Sequence, residues 1–296
     1  MREAVERYVP DGAAVAMGLA LESVIPFAAG HELIRQRRRG LSLIGPISDM
    51  LYDQLIGAGC AARVIAAWVG NVSAGLGHNY RRWTEGPAAP RLVVEDHSNF
   101  SICLALKAGA MGAPYIPTRS LLGSDLLHSN PKLRVIEDDG APLVRVPALC
   151  PDVTVLHVQR SDEAGSAHAW GNLGISAEAA LAAQRVIVVA EELVPAGTIR
   201  SDPNRVLIPA FKVCAVVHEP GGAHPSPVQG HYNRDHAMYH DYHRASRDAA
   251  GFEAWLAEWV LDVPDRDAYL AKLGAERWGA LQARQARKAA AVNYGY

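Results

Sequence analysis

Short, continuous apolar segments alternate with helical segments through the first half of the chain, and this alternation is the strongest constraint on its fold. Segments of strand length, such as AAVAMGL, LSLIGP and ARVIAAWVG, are apolar throughout, and segments of helix length separate them. Continuous apolar runs of this length are typical of strands that are covered on both faces. Strands joined by helices predict βαβ units. We therefore predict an α/β fold with an open, mainly parallel sheet and helices on both faces.

The second half of the chain is predicted to extend this sheet and to end in helices. Two short strands are predicted around a turn at Asp139-Gly140, and apolar strands recur at VTVLHVQR, RVIVVAEELV and VCAVVH. From residue 234 the pattern is helical to about residue 290. No repeat or clear linker interrupts the sequence. We therefore predict one domain over residues 1–296, with a C-terminal helical layer over about 234–290.

The composition excludes several classes of protein. The 296 residues are 49% apolar, and the formal net charge is −2 with acidic and basic residues interspersed. A nucleic-acid-binding surface needs clustered basic residues, so we predict no nucleic-acid partner. No apolar run reaches the roughly 20 residues that a membrane span needs, and the first residues lack a signal sequence. Four widely spaced cysteines without a CxxC pair fit reduced thiols. We predict a soluble, cytoplasmic protein without a membrane partner.

Four loops are predicted to leave the carboxyl ends of strands, which is where parallel α/β sheets bind ligands. They span residues 18–26, 70–77, 95–99 and 220–227. Their glycines permit a close approach of the backbone to a ligand, and Ser73, Ser98 and Asn99 add small polar groups. Ser98, like Ser48 earlier in the chain, is also the predicted N-cap of the helix that follows it. Free backbone N–H groups at a helix start can bind an anion or a carbonyl oxygen, so the loops predict a site for such a ligand.

Other catalytic patterns receive less support from the sequence. A serine hydrolase of the GxSxG type is not indicated, because that motif is absent. The residues His236, His240 and His243 have a spacing that zinc can use, but HExxH is absent and an ordinary solvated helix explains them better, so we predict no metal site. The basic pair Arg81-Arg82 follows a predicted strand-end loop. It fits either a contact with phosphate groups or a solvated helix end.

Several stretches, in order along nearly the whole chain, resemble the A subunit of glutaconate CoA-transferase. They are AVERYVPDGAAVAMG, VEDHSNF followed by AGAMGAPYIPT, VHEPGGAHPSP, and EWVLDVPDRDAYLAKLGAERW. The last two are the most specific because they are long and have little generic explanation. A weaker resemblance links the chain to a hydrolase of steroid-ring degradation that opens a cyclic CoA thioester. On this basis the chain is identified as a member of the CoA-transferase A (alpha) subunits.

The resemblance implies one subunit of a heteromeric enzyme that moves CoA between an acyl-CoA and a carboxylic acid. The implied partner is a homologous B subunit whose glutamate is the nucleophile and carries CoA as a glutamyl thioester. No catalytic residue is therefore expected on this chain. CoA is a substrate, and neither a metal nor a permanently bound cofactor is implied. The implied substrate-binding residues are Gly18, Ser73, Ser98 and Asn99.

Two departures from the resembling enzymes bear on the alternatives. The steroid-ring hydrolase has a glutamate followed by glycine in the turn where this chain has Asn99 and Phe100. An amide cannot act as a general base, so Asn99 favours a transferase. The Gly-Gly-Phe turn of the glutaconate enzyme reads Gly18-Leu19-Ala20 here, which argues against glutaconate itself. A hydrolase on the same scaffold and a non-catalytic acyl-CoA-binding subunit stay open as alternatives.

Overall fold

A mainly parallel sheet, with β11 and β13 pairing antiparallel, forms the centre of the computed structural model, which describes residues 1–87 and 92–283. The strands in those residues are β1 (Ala14–Ala16), β2 (Leu41–Ile44), β3 (Ala61–Ala66), β4 (Gly70–Asn71), β5 (Gly75–Leu76), β6 (Val93–Asp96), β7 (Tyr115–Thr118), β8 (Arg134–Asp138), β9 (Ala141–Pro147), β10 (Val153–Ser161), β11 (Ala167–His168), β12 (Arg185–Leu193), β13 (Val206–Ile208) and β14 (Val213–His218).

The helices in the same residues are α1 (Arg2–Tyr8), α2 (Phe27–Arg35), α3 (Asp49–Gly57), α4 (His78–Thr84), α5 (Asn99–Met111), α6 (Leu126–Ser129), α7 (Ser176–Ala182), α8 (Ala196–Arg200), α9 (His236–Ala245), α10 (Ala249–Leu256), α11 (Arg266–Leu273) and α12 (Ala275–Leu281). Two 3-10 turns lie at Pro203–Arg205 and Ala210–Lys212, and a π-helical turn at Ala257–Leu261 follows α10.

The order of the strands places β1 at a switch point of the sheet. Seven strands of the described chain pair in parallel, in the order β14-β12-β10-β1-β2-β3-β6. Val15 of β1 pairs with Leu43 of β2 on one edge and with Val153 of β10 on the other. Strands are therefore added outward from β1 in both directions. In open α/β sheets a ligand-binding crevice lies outside the carboxyl ends of the strands at such a switch point, so we expect one here.

Helices cover both faces of the sheet, as predicted. Helices α2 and α3 and the C-terminal helices α9 to α11 bury one face, with Phe27, Leu51 and Tyr239 in the core. Helices α5 and α7 bury the other face through side chains such as Ile102 and Ala179. Two-sided cover explains why the strands are apolar throughout and do not alternate with polar residues. The predicted mainly parallel α/β sheet with a helical C-terminal part is confirmed.

A second, antiparallel sheet lies beside α5. It has the strand order β7-β9-β8, with Ile116 opposite Val146 and Val135 opposite Val144. The predicted turn at Asp139-Gly140 joins β8 to β9, and both residues have positive φ, at 49° and 74°. This is the backbone of a tight hairpin turn, which the Asp-Gly pair favours.

The C-terminal helices are held to the sheet by a buried carboxylate. Arg277 of α12 donates from Nε and Nη2 to the two carboxylate oxygens of Asp235, at 2.8 and 2.9 Å. His224 Nε2 lies 3.0 Å from the same carboxylate, and Asp235 also caps α9 by accepting from the N–H of Met238. One carboxylate therefore joins the loop after β14 to α9 and α12. Residues 284–290 of the predicted helical layer lie outside the described residues.

We expect this carboxylate cluster to make stability depend on pH. Burial lowers the pKa of His224 to about 4, although Asp235 acts to raise it. In the unfolded chain the imidazole has a pKa of about 6.5, so it binds a proton between these two values while the folded chain does not. The contribution of His224 to the free energy of unfolding should be at its maximum above pH 6.5 and should fall toward pH 4. The loss from this one group is at most about 1.4 kcal/mol per pH unit.

Urea unfolding measured at intervals from pH 4 to pH 7 tests this expectation. The variant His224→Gln should have a lower free energy of unfolding at pH 7 and a flatter dependence on pH across this range. An unchanged slope in the variant would contradict the assignment of the pH dependence to His224.

Candidate functional site at the carboxyl ends of the strands

Three of the predicted loops meet at the carboxyl ends of the parallel strands. The loop after β1 contacts the loop at 220–227, because the N–H of Val24 donates to the carbonyl of Pro227 at 3.0 Å. The β4–β5 hairpin is joined to the start of α3, where the N–H of Val72 donates to Asp49 Oδ1 at 2.9 Å. The fourth loop, at 95–99, follows β6 at the edge of the parallel strands. The predicted ligand-binding edge of the sheet is thus assembled from distant parts of the sequence.

Gly18 lies at the end of β1, as predicted, but it is buried against α3. Its φ is +68°, and a Cβ at this position would overlap Ser48 Oγ. Ser48 Oγ and Tyr52 Oη both donate to the carbonyl of Met17, at 2.9 and 3.0 Å. Ser48 stands at the predicted N-cap position of α3, but its hydroxyl makes this bond in place of a cap. Packing therefore explains the glycine, and a contact of Gly18 with substrate stays a prediction.

Ser73 lies in the turn of the β4–β5 hairpin and is half-buried. The turn is fixed by Asn71, whose side chain accepts from the N–H of Ser73 at 3.1 Å and donates to the carbonyl of Tyr239 at 2.7 Å. Ser73 Oγ accepts hydrogen bonds from Arg234 Nε and Nη2, at 3.2 and 3.0 Å. His236 Nδ1 is 3.4 Å from the same oxygen. The predicted residue Ser73 is therefore held by an arginine that the sequence did not single out as a binding group.

Arg234 is the charged residue at the centre of this group. Its side chain is only 8% exposed, and Nη2 forms an ion pair with Asp49 Oδ2 at 2.7 Å. Its guanidinium lies 3.6 Å from the ring centroid of Tyr239. Burial raises the pKa of Asp49 above its ordinary value, while the positive charge of Arg234 acts to lower it. The one signal in the sequence was position, since Arg234 follows the strand-end loop at 220–227 by a few residues.

Ser98 and Asn99 begin α5 at the end of β6. Ser98 Oγ accepts from the N–H of Ser101 at 2.9 Å, and Ser101 Oγ accepts from the N–H of Ser98 at 2.8 Å, so Ser98 is the N-cap of α5, as predicted. Asn99 is exposed, which leaves its amide accessible to a ligand. Substrate contacts of both residues stay predictions, because the hydrogen bonds of the described residues do not join them to Ser73.

Glu95, three residues before Ser98, is ionised and engaged in ion pairs. Its carboxylate lies 2.7 Å from Lys132 Nζ and 3.3 Å from Arg63 Nη1. Burial acts to raise its pKa, but hydrogen bonds from His97 and Lys132 outweigh burial and lower the pKa to about 2. A carboxylate of this kind is a poor proton acceptor near neutral pH. Glu95 is therefore a structural residue of the β6 end.

Comparison with known proteins identifies the family of this chain. Residues 1–219 match the coenzyme A transferase family. The chain belongs to this family. The A subunit of 3-oxoadipate CoA-transferase from Pseudomonas knackmussii is 40% identical over 275 residues, which cover 92% of this chain and 96% of that protein. The A subunit of glutaconate CoA-transferase from Acidaminococcus fermentans is 32% identical over 296 residues, with 94% and 92% covered.

The fold of a solved member gives the same result. The crystal structure of glutaconate coenzyme A-transferase from Acidaminococcus fermentans superposes with a TM-score of 0.89 at 31% identity, covering 95% of this chain and 94% of that one. The predicted resemblance to CoA-transferase A subunits is confirmed, and the chain is part of a CoA-transferase. Among the helices of residues 1–87 and 92–283, none has the length and apolar character needed to cross a bilayer.

The remaining candidate groups of this CoA-transferase chain have structural partners. Arg82 Nη1 donates to the carbonyls of Ser246 and Arg247, so it fastens α4 to the turn between α9 and α10. Arg81 pairs with Glu85 on the surface. In the part of the chain that the structure describes, no group of three or more histidine, cysteine or acidic side chains is arranged to hold a metal ion.

Replacing Gly18 tests the packing at the end of β1. In the CoA-transferase chain, Gly18→Ala should cost about 1–2 kcal/mol for the left-handed backbone and a further 1–3 kcal/mol, approximately, for the overlap with Ser48. Gly12→Ala is the matched control, because Gly12 has a φ of +80° with open space around its Cβ position. Urea unfolding should show a larger loss for Gly18→Ala, and equal losses would contradict the overlap.

The start of α5 offers a second comparison between neighbouring residues. Ser98→Ala removes the cap and should lower the free energy of unfolding by about 1 kcal/mol. Asn99→Ala should change it by no more than about 0.5 kcal/mol, because the amide is exposed and caps no backbone group of α5. Thermal and urea unfolding of the two variants check this difference. A larger loss for Asn99→Ala would show a structural role and weaken its candidacy as a substrate contact.

Proposed function

We propose that this chain is the A subunit of a heteromeric enzyme that transfers CoA between an acyl-CoA and a carboxylic acid. The observation that carries the proposal is its relation to the A subunits of two CoA-transferases over more than 90% of each chain. The proposed partner is a homologous B subunit, and the proposed active form is the hetero-oligomer. The relatives are named for 3-oxoadipate and glutaconate, so these dicarboxylic acids are the first acceptors to test.

In the proposed mechanism, a glutamate of the B subunit supplies the nucleophile. Its carboxylate attacks the thioester carbon of the acyl-CoA, the C–S bond breaks, CoA leaves as a thiolate, and an acyl-glutamyl anhydride forms. The thiolate then attacks the glutamyl carbonyl, which releases the acyl group as a carboxylate and leaves a glutamyl-CoA thioester. The same two steps then occur in reverse with the acceptor acid. Its carboxylate attacks the glutamyl-CoA thioester to form a new anhydride, and the released thiolate attacks the acyl carbonyl of that anhydride to give the new acyl-CoA and the free glutamate. The activated bond is exchanged at every step and is never lost to water.

The proposed contribution of this chain is to bind the acyl group and to stabilise charge on its carbonyl oxygen. Each attack on a carbonyl carbon places negative charge on that oxygen, and preorganised donors lower the free energy of the transition state. The proposed polar contacts are the hydroxyl of Ser73, the N-cap residue Ser98 and the first residue of α5, Asn99. Gly18 is proposed to shape the loop that faces the acyl group.

Apolar side chains near the strand ends support the assignment of a protein partner. Val72, Leu76, Phe100 and Leu173 lie in three different segments at this end of the sheet, namely the β4–β5 hairpin, the start of α5 and the loop before α7, and are between 37% and 53% exposed. The first two flank the turn that holds Ser73, and Phe100 follows Asn99. Exposed apolar groups next to polar binding residues are typical of an interface that is covered on assembly. We propose that the B subunit covers them and brings its glutamate to the crevice.

The test compares the chain alone with the chain assembled with its B subunit. The chain alone should transfer no CoA, whereas the complex should convert an acyl-CoA only when a carboxylic acid is supplied. Chromatographic separation of the acyl-CoA species measures this transfer. Robust transfer by the isolated chain would overturn the division of labour.

Two other results of the same experiment would contradict the proposal. Release of free CoA by the complex without any acceptor acid would indicate the acyl-CoA hydrolase alternative. Tight binding of acyl-CoA without turnover in the complex, across 3-oxoadipate, glutaconate and simple monocarboxylic acids, would indicate a non-catalytic binding subunit.

A further inference from the structure

We propose that Arg234 is a positioning residue. It orients the hydroxyl of Ser73 so that this hydroxyl donates a hydrogen bond to the acyl carbonyl oxygen of the substrate. The inference deepens the proposed function and rests on it. It assigns a role to a residue that lies outside the matched family region, which ends at residue 219.

The hydrogen bonds of Ser73 carry the argument. A serine hydroxyl has two acceptor lone pairs and one proton, and a guanidinium only donates. Arg234 Nε and Nη2 both donate to Ser73 Oγ, at 3.2 and 3.0 Å. The two N–H groups therefore approach the oxygen together from one side. The O–H bond must point away from Arg234, so Ser73 acts as a donor.

Arg234 is itself held in place, so the direction that it imposes on the Ser73 O–H bond is fixed. Asp49 is fully buried and holds the guanidinium at 2.7 Å, and the ring of Tyr239 lies against its face. Asp49 also accepts from the N–H of Val72, so the same carboxylate positions the hairpin that carries Ser73. A donor that is oriented before substrate binds needs no reorganisation during the reaction.

The charges around Arg234 indicate that its main contribution is to fix the direction of the Ser73 O–H bond and not to add net positive charge. Asp49 balances the guanidinium, and Glu22 Oε2 lies 3.9 Å from Nη1 on the solvent side, with a side chain that is 51% exposed. The group as a whole is therefore not cationic. What the ion pair supplies is a rigid fork that places two N–H donors on one side of one oxygen atom, which is a property of arginine and not of lysine.

Among the described residues, the Ser73 hydroxyl has one protein atom within reach to which it can donate a hydrogen bond. His236 Nδ1 is 3.4 Å away, longer than the usual distance for a hydroxyl donor, and His236 is exposed. A carbonyl oxygen that enters the crevice can offer a shorter bond and replace this contact. The serine–histidine contact also resembles the start of a nucleophilic dyad. Two hydrogen bonds from a cationic guanidinium withdraw electron density from the Ser73 oxygen and make it a poorer nucleophile, so we assign Ser73 as a donor and not as a nucleophile.

A double-mutant cycle on the assembled A–B complex tests the inference. Ser73→Ala should lower kcat for CoA transfer by about 100-fold, as expected for the loss of one oxyanion donor. Arg234→Lys retains a charge for Asp49 but loses the fork, and should lower kcat by about 10-fold with little change in KM. If Arg234 acts through Ser73, the double variant should have the kcat of Ser73→Ala alone. Arg244→Lys, on the exposed side of α9, is the control and should have wild-type kcat.

Several results would overturn the inference. Losses that multiply in the double variant would show that Arg234 acts independently of Ser73, as a merely structural residue would. Wild-type kcat in Ser73→Ala, or covalent labelling of Ser73 by a fluorophosphonate, would also refute the donor role. If Arg234→Lys fails to assemble, Arg234→Gln takes its place in the same cycle. A wild-type complex that transfers no CoA would instead refute the proposed function, so the two failures are distinguishable.

Discussion

The parallel pairing of β1 with β2 on one edge and β10 on the other is the constraint on which the structure depends. Strands are added outward from β1 in both directions, and a switch point of this kind is where open α/β sheets bind ligands, in a crevice outside the carboxyl ends of the strands. The loop at 220–227, which follows the edge strand β14, returns across this end and bonds to the loop after β1 through Val24 and Ile25. That return path brings the C-terminal part of the chain, with Arg234, to the crevice.

Much of the fold could be predicted from the sequence because its signals are local. Continuous apolar runs identify the buried parallel strands, the Asp139-Gly140 pair identifies a hairpin, and Ser98 before an apolar helix identifies a cap. Each of these depends on neighbouring residues alone. Ser48 stands at the predicted N-cap position of α3, but the predicted capping hydrogen bond of its side chain is not formed. The carbonyl of Met17 lies within reach of the Ser48 hydroxyl, and only the tertiary packing of β1 against α3 reveals that competitor.

The site was predictable in part, for a related reason. The positions of Ser73, Ser98 and Asn99 beside strand ends could be inferred from the apolar pattern, whereas their contacts with substrate stay predictions. The pair of Arg234 and Asp49 joins residues far apart in the sequence, and neither interrupts an apolar pattern in a way that signals burial. The two-residue strands β4 and β5 are too short to produce any periodicity. A hydrogen-bonded group of this kind therefore becomes visible only when the fold is known.

Arg234 lies in a segment that serves both the crevice and the cover of the sheet. The match to the family ends at residue 219, before this segment, which contributes the guanidinium, its neighbour His236 and the carboxylate of Asp235. That segment also packs against the sheet, because Tyr239 and Tyr242 belong to its core. A substitution there therefore changes the cover of the sheet and the surroundings of Ser73 together.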